Sequence, residues 1–208
     1  MLRNIGVLAS GRGTNLQAII DGASSGMFAG RVAVVVSDRS KAPALDRARQ
    51  AGIPAVFVSK KEAGSQEAFE WNIAGVLDAH GVDVVCLAGF MRVLGPWFVA
   101  RYSGRMLNIH PALLPSFPGL EAQRQALEYG VKVSGCTVHF VDEGVDAGPI
   151  IIQRPVLIRQ EDTVETLSER ILVEEHKAYV EALRLLCDDR LEVQGKRVIT
   201  TEVRGEMR

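Results

Sequence analysis

Arg3-Asn4-Ile5-Gly6-Val7-Leu8-Ala9, running into Ser10-Gly11-Arg12-Gly13-Thr14-Asn15 and then Leu16, Ile19 and Ile20, decides how this chain is built. Arg3 to Ala9 is an apolar strand, and the three-and-four spacing of Leu16, Ile19 and Ile20 starts a helix. A glycine turn between strand and helix aims backbone N–H groups at one point in front of the helix N-terminus. That is an anion site, most often for phosphate. The turn is not the full dinucleotide fingerprint, because the third glycine is missing and Thr14-Asn15 fills the helix start. A capped helix after a tight turn remains the plain alternative.

The same unit recurs along the chain. Arg31 to Val36 is a buried strand followed by Ser37-Asp38-Arg39, Pro43 to Gly52 is a helix, Ala55 to Val58 is a third strand, and helical periodicity runs from Gln66 through Ala79. Val82 to Ala88 is continuously apolar, as a parallel strand covered on both faces must be. It stops at Gly89-Phe90-Met91-Arg92-Val93-Leu94. This alternation predicts an α/β fold with a doubly wound, mostly parallel central sheet flanked by helices, whose ligands bind beyond the carboxyl ends of the strands.

Leu107-Asn108-Ile109-His110-Pro111 ends the next strand at that same edge. Side chains alternate along a strand, so Asn108 and His110 share a face. An amide donor beside a titratable imidazole suits a reaction with a developing oxyanion and a proton to move. A polar strand terminus with a capping Asn is the bland alternative. Farther on come a helix near Leu120 to Tyr129, a strand from Val133 to Val141, and the carboxylate- and glycine-rich loop Asp142 to Pro149. Ile150 to Ile152 and Val156 to Ile158 continue the sheet around Pro155, which marks an edge or a bulge. Thr163 caps a long helix reaching Leu186, and Arg190 to Val203 reads as a hairpin turning at Gln194-Gly195-Lys196.

With 208 residues and 47% hydrophobic content, the chain can bury a full core as one domain, residues 1–208, and no internal linker divides it. Lys and Arg number 24 against 25 Asp and Glu, a net charge of −1, and no basic run marks a nucleic-acid surface. Cys86, Cys136 and Cys187 lie far apart without metal spacing and read as reduced thiols. No metal site is expected. There is no charged leader before an apolar core, and no apolar run of membrane-spanning length, so a soluble cytoplasmic protein is expected, with neither nucleic acid nor membrane as partner.

Taken jointly, Gly89-Phe90-Met91-Arg92, Leu107 to Pro111, Leu113-Leu114-Pro115, Pro118-Gly119, Gln125-Ala126-Leu127, Thr137-Val138-His139 and Asp146-x-Gly148-Pro149 resemble the folate-dependent formyltransferases. GRGTN at Gly11 to Asn15 and the short chain are most similar to the branch acting on glycinamide ribonucleotide in purine synthesis. The resemblance spans nearly the whole chain. It implies the formyltransferase fold, with residues 1–100 as a nucleotide-binding half and 101–208 as a catalytic and folate-binding half, in a monomer or homodimer. It also implies that the glycinamide ribonucleotide amine takes the formyl group of 10-formyltetrahydrofolate, a co-substrate, and leaves tetrahydrofolate.

Matched residue by residue, the resemblance makes Asn108, His110 and Asp146 catalytic. Gly13, Thr14 and Asn15 match the positions that hold the ribonucleotide phosphate, and Glu175 the glutamate that contacts its ribose. Met91, Arg92, Val93 and Leu94 match the segment whose backbone reads the pterin, together with Asn108. Asp142, Glu143, Gly144 and Val145 line the other side. Gln66, also placed at the cofactor, stands where relatives commonly carry an arginine, so a cationic contact is expected to be lost. His80 and His139 receive no role. A formyltetrahydrofolate hydrolase, using the same triad with water as nucleophile, and a non-catalytic nucleotide-binding domain are the competing readings.

Overall fold

The computed structural model describes residues 2–201, and these form one nine-stranded sheet with helices on both faces. In chain order the elements are β1 (Arg3–Leu8), α1 (Thr14–Ser24), β2 (Gly30–Ser37), α2 (Pro43–Gln50), β3 (Ala55–Phe57), α3 (Lys60–Ala63), α4 (Gln66–Ala79), β4 (Val84–Leu87), α5 (Pro96–Arg101) and β5 (Met106–His110). The second half adds α6 (Ala122–Tyr129), β6 (Val133–Phe140), β7 (Ile150–Leu157), α7 (Val164–Cys187), β8 (Leu191–Gln194) and β9 (Arg197–Thr200). The expected α/β sheet, long helix and hairpin are all present. Residues 202 and 203 of the expected hairpin lie outside the described residues. The short helices α3 and α5 were not expected from periodicity, since four and six residues are too few to show one.

The strand order is β3-β2-β1-β4-β5-β6-β7-β9-β8, with β3 through β5 parallel and β6 antiparallel to both of its neighbours. From β1 the chain winds outward to β2 and β3, then returns to β4 and β5 on the other side. The winding therefore reverses between β1 and β4, and parting crossovers open a crevice there at the strand carboxyl ends. Backbone bonds from Ala88 N to Leu8 O (2.9 Å) and from Ser10 N to Gly89 O (3.0 Å) carry the pairing right to that edge.

Strand alternation splits the apolar residues into two cores. Ile5, Val7, Val35, Cys86, Leu107 and Ile109 face α1, α2 and α7, whereas Leu8, Val34, Val36, Val85, Leu87 and Met106 face α4 and α5. Tyr179 of α7 is wholly buried, with its hydroxyl 3.0 Å from Leu87 O and 3.2 Å from Leu107 O, so the long helix is tied to β4 and β5 next to the crevice. All three cysteines are free and buried, and burial pushes the Cys136 thiol up to about 12 and the Cys187 thiol up to about 11. Protonated thiols suit packing, not ligation.

Pro155 sits inside one continuous β7 instead of between two short strands. It is tolerated because β9 pairs with β7 only at Ile150, leaving the outer side of Pro155 without a ladder partner. The register irregularity falls elsewhere, between Val138 and His139.

Candidate active site

The anion turn is built by geometry that leaves a helix end open. α1 has no side-chain cap, and Gly13, its N-cap, is left-handed at φ 72°. Burial of Leu16, Ile19 and Ile20, roughly 1.5–3 kcal/mol each, outweighs the ~1 kcal/mol that a cap contributes, so the helix forms with its first N–H groups free. By contrast Ser59, Ser65 and Thr163 cap α3, α4 and α7. The turn itself is clamped by Arg47, whose Nε donates to Arg12 O (2.9 Å).

Gly13, Thr14, Asn15 and Glu175 line one cleft of about 620 Å³. Asn15 does not present a free amide there: its Nδ2 donates to Glu175 Oε2 at 2.7 Å, across 160 residues of sequence. Burial raises the Glu175 carboxyl above its ordinary range, opposed by that hydrogen bond and by the Arg12 charge. Arg12 and Arg39 line the turn side and Glu165, Glu169 and Glu175 the α7 side, which makes the cleft bipolar. Neither arginine nor the α7 carboxylates Glu165 and Glu169 stood out in the sequence, because an exposed charge in a turn or on a helix has no pattern of its own.

A second cleft, of about 480 Å³, shares Gly89, Met91 and Gln123 with the first as a common wall. The wall is pinned by Ser10, whose Oγ accepts from Met91 N (2.9 Å), and by Asp38, whose Oδ2 accepts from Arg92 Nε (2.7 Å). Met91 to Leu94, Asn108, His110 and Asp142 to Asp146 all line this second cleft, with buried Phe90, Leu94 and Val99 as its apolar floor. Gln66 touches it only through its bond to Val93 O (3.2 Å).

In this second cleft, Asn108 and His110 stand on one face of β5, two residues apart, and the 141–149 loop brings Asp146 over them. Asp146 holds a left-handed backbone at φ 50°, a conformation uncommon outside glycine that aspartate tolerates better than most. Gly148 makes the loop possible, since a Cβ there would collide with the Phe140 carbonyl. Asp146 Oδ2 lies 3.2 Å from His110 Nδ1 and accepts from Gly119 N (2.8 Å). His110 Nε2 donates to Phe117 O (2.8 Å). Both ring nitrogens thus face oxygen acceptors.

His139 belongs to this cluster, although sequence reasoning gave it no role. It pairs directly with Asn108 across β5 and β6. Its Nδ1 donates to Phe140 O (2.8 Å), so Nε2 is an acceptor and takes a hydrogen bond from Asn108 Nδ2 (3.2 Å), whose other hydrogen reaches Asp146 Oδ1 (3.3 Å). Burial lowers the His139 pKa, which keeps that ring neutral. The signal available in the sequence was Thr137-x-His139 on a strand, readable only with the cross-strand register in hand. Among the described residues no group of three or more His, Cys, Asp or Glu is placed to hold a metal ion, and no helix is long and apolar enough to cross a membrane.

Parallel strands that end in a glycine turn, a two-lobed crevice and an Asn–His–Asp cluster make up an α/β enzyme site suited to a developing oxyanion and a proton to move. The chain belongs to the formyl transferase family, whose model it matches over residues 3–183. It is 44% identical over 190 residues to the phosphoribosylglycinamide formyltransferase of Escherichia coli, covering 91% of this chain and 90% of that one. The crystal structure of glycinamide ribonucleotide transformylase 1 from Symbiobacterium toebii superimposes with a TM-score of 0.95 at 55% identity, covering 97% and 95% of the two chains. It is also 47% identical to the trifunctional purine biosynthetic protein adenosine-3 of Chironomus tentans, covering 93% of this chain but spanning only 14% of that longer protein.

Proposed function

We propose that the chain transfers the formyl group of 10-formyltetrahydrofolate to the amine of glycinamide ribonucleotide, releasing tetrahydrofolate and formylglycinamide ribonucleotide in purine synthesis. The observation that carries this reading is the pair of clefts sharing Gly89, Met91 and Gln123 as a wall, one with an open helix N-terminus and the other with an apolar floor and Asn108, His110 and Asp146 in its lining. The ribonucleotide phosphate sits on the backbone of Gly13, Thr14 and Asn15, with Glu175 on its ribose. The pterin sits against Met91 to Leu94 and Asp142 to Val145.

The chemistry follows from the groups in the second cleft. As the amine forms its bond to the formyl carbon, the C=O electron pair moves onto oxygen, giving an intermediate with a negative oxygen and a positive nitrogen. An amide hydrogen of Asn108 donates to that oxygen, and the charge of the His110 imidazolium beside it stabilises it without giving up either ring N–H. The Asn108 amide nitrogen lies 3.2 Å from His139 Nε2 and 3.3 Å from Asp146 Oδ1, both long for hydrogen bonds, and gives up one of them to the substrate. Asp146 balances the imidazolium charge and directs a water that carries the proton from the incoming nitrogen to N10 of the folate. Protonated N10 leaves as the C–N10 bond breaks. The setting is cytoplasmic, the state monomer or homodimer, and the partners small molecules only; the net charge of −1 with no basic run supports the last point.

The test is tetrahydrofolate release with and without the ribonucleotide. A bound amine enjoys a large effective concentration over a passing water, so release should depend on the acceptor. Equal release in both tubes would identify a hydrolase, and none in either a binding domain.

A further inference from the structure

Gln66 was expected to leave the folate cleft without a cationic contact, yet its surroundings supply one from elsewhere in the chain. Its Nε2 donates to Glu70 Oε1 (2.5 Å) and to Val93 O (3.2 Å), while its Oε1 accepts from Lys60 Nζ at 2.6 Å. Glu70 is buried and accepts from Gly95 N as well (2.6 Å), so the amide of Gln66 is consumed inside the protein at both ends. Lys60, the first residue of α3, therefore stands one amide away from Val93, which is 74% exposed on the cleft rim.

Two cations on the rim of the cleft are occupied. Arg92 pairs with Asp38 (2.7 Å), and Lys196 pairs with Asp142 (2.9 Å) on the far side. Lys60 has no carboxylate partner at salt-bridge distance among the described residues, and an ammonium has three hydrogens, of which Gln66 takes one. A folate whose ring lies on Phe90, Leu94 and Val99, and whose N10 lies at His110, can bring its glutamate out across the exposed rim at Met91 and Val93.

We propose that Lys60 receives a carboxylate of the glutamate tail of the folate co-substrate, held in place by the Gln66 amide. This deepens the folate reading of the cleft and rests on it. A charge-assisted hydrogen bond in a half-exposed place predicts about a 5- to 10-fold effect on affinity.

The experiment is calorimetry with two stable probes: 10-formyl-5,8-dideazafolate and the same molecule ending at the benzoate, without glutamate. Wild-type protein should prefer the glutamate-bearing probe. Lys60→Ala should lose about 5- to 10-fold of that preference while binding the truncated probe as wild type does, and Lys60→Arg should restore it. Equal weakening toward both probes would mean that Lys60 merely props the rim, and no weakening toward either would mean that the tail lies elsewhere; both outcomes overturn the proposal. Wild-type protein that binds neither probe overturns it together with the folate reading. Protein that shows the probe difference yet fails to formylate the ribonucleotide sinks the proposed function alone.

Discussion

Asn108 carries the sharpest expectation at the scale of single residues, since its amide stands between a neutral histidine and a carboxylate. Asn108→Ala or Asp146→Asn should lower kcat by ~10²- to 10³-fold with a much smaller change in KM, as expected of groups that act on charge present only in the transition state. Steady-state kinetics with both substrates checks this, and near-normal kcat in both variants would refute the roles given to them. His139 makes a separate prediction through pH. Its folded pKa lies below the 6.5 of an unfolded histidine because the ring is buried. The unfolded chain therefore takes up this proton first, and stability drains away as pH falls from about 6.5 toward the folded value. Once protonated in the folded state, Nε2 becomes a donor facing a donor on Asn108, so activity should fall in the same direction. His139→Phe removes the acceptor without charge: thermal melts from pH 5 to 8 should show a shallower acid decline, alongside a kcat roughly 10-fold below wild type near neutral pH, a gap that narrows as pH falls.

Among the elements, α1 shows why a glycine turn is needed and what it positions. Gly13 is left-handed, and a Cβ there would come within 2.8 Å of Ala44 Cα on α2. Gly13→Val should thus cost about 1–3 kcal/mol of stability and, by displacing the helix start, weaken ribonucleotide binding while folate binding persists. Denaturant titration and calorimetry with each substrate separate the two effects. The partner element α7 offers the opposite trade at Glu175. Because burial raises this carboxyl, the unfolded chain ionises first as pH climbs above about 4.5, and the folded state loses stability until Glu175 itself ionises. Glu175→Gln should therefore melt higher at pH 7 than wild type and bind the ribonucleotide more weakly. A lower melting temperature would show that the Asn15 bond outweighs the desolvation.

At the level of the whole molecule, the crevice exists because two cores clamp one sheet whose winding reverses between β1 and β4. Among the described residues, the Tyr179 hydroxyl hydrogen-bonds α7 to both β4 and β5, so Tyr179→Phe should cost about 1–3 kcal/mol by leaving buried carbonyls short of a donor. A denaturant midpoint within error of wild type would show that the helix is held by packing alone. Local chemistry in the chain is enough to give the parallel sheet, the glycine turn before α1 and the shared face of Asn108 and His110, because strand alternation, helical spacing and glycine turns act over a few residues, whereas only the structure shows that α1 carries no side-chain cap. Asp146 shares its loop with Asp142 and Glu143, and only the resemblance to the formyltransferases marks it out from them. Folding alone brings Glu175 to Asn15, His139 to Asn108 and Lys60 to Gln66. The first two pairings depend on strand order, register and the path of a 24-residue helix, and the third on a four-residue helix with no periodicity of its own. Distances across the sheet are set by packing of both cores together, and no short stretch of sequence encodes them.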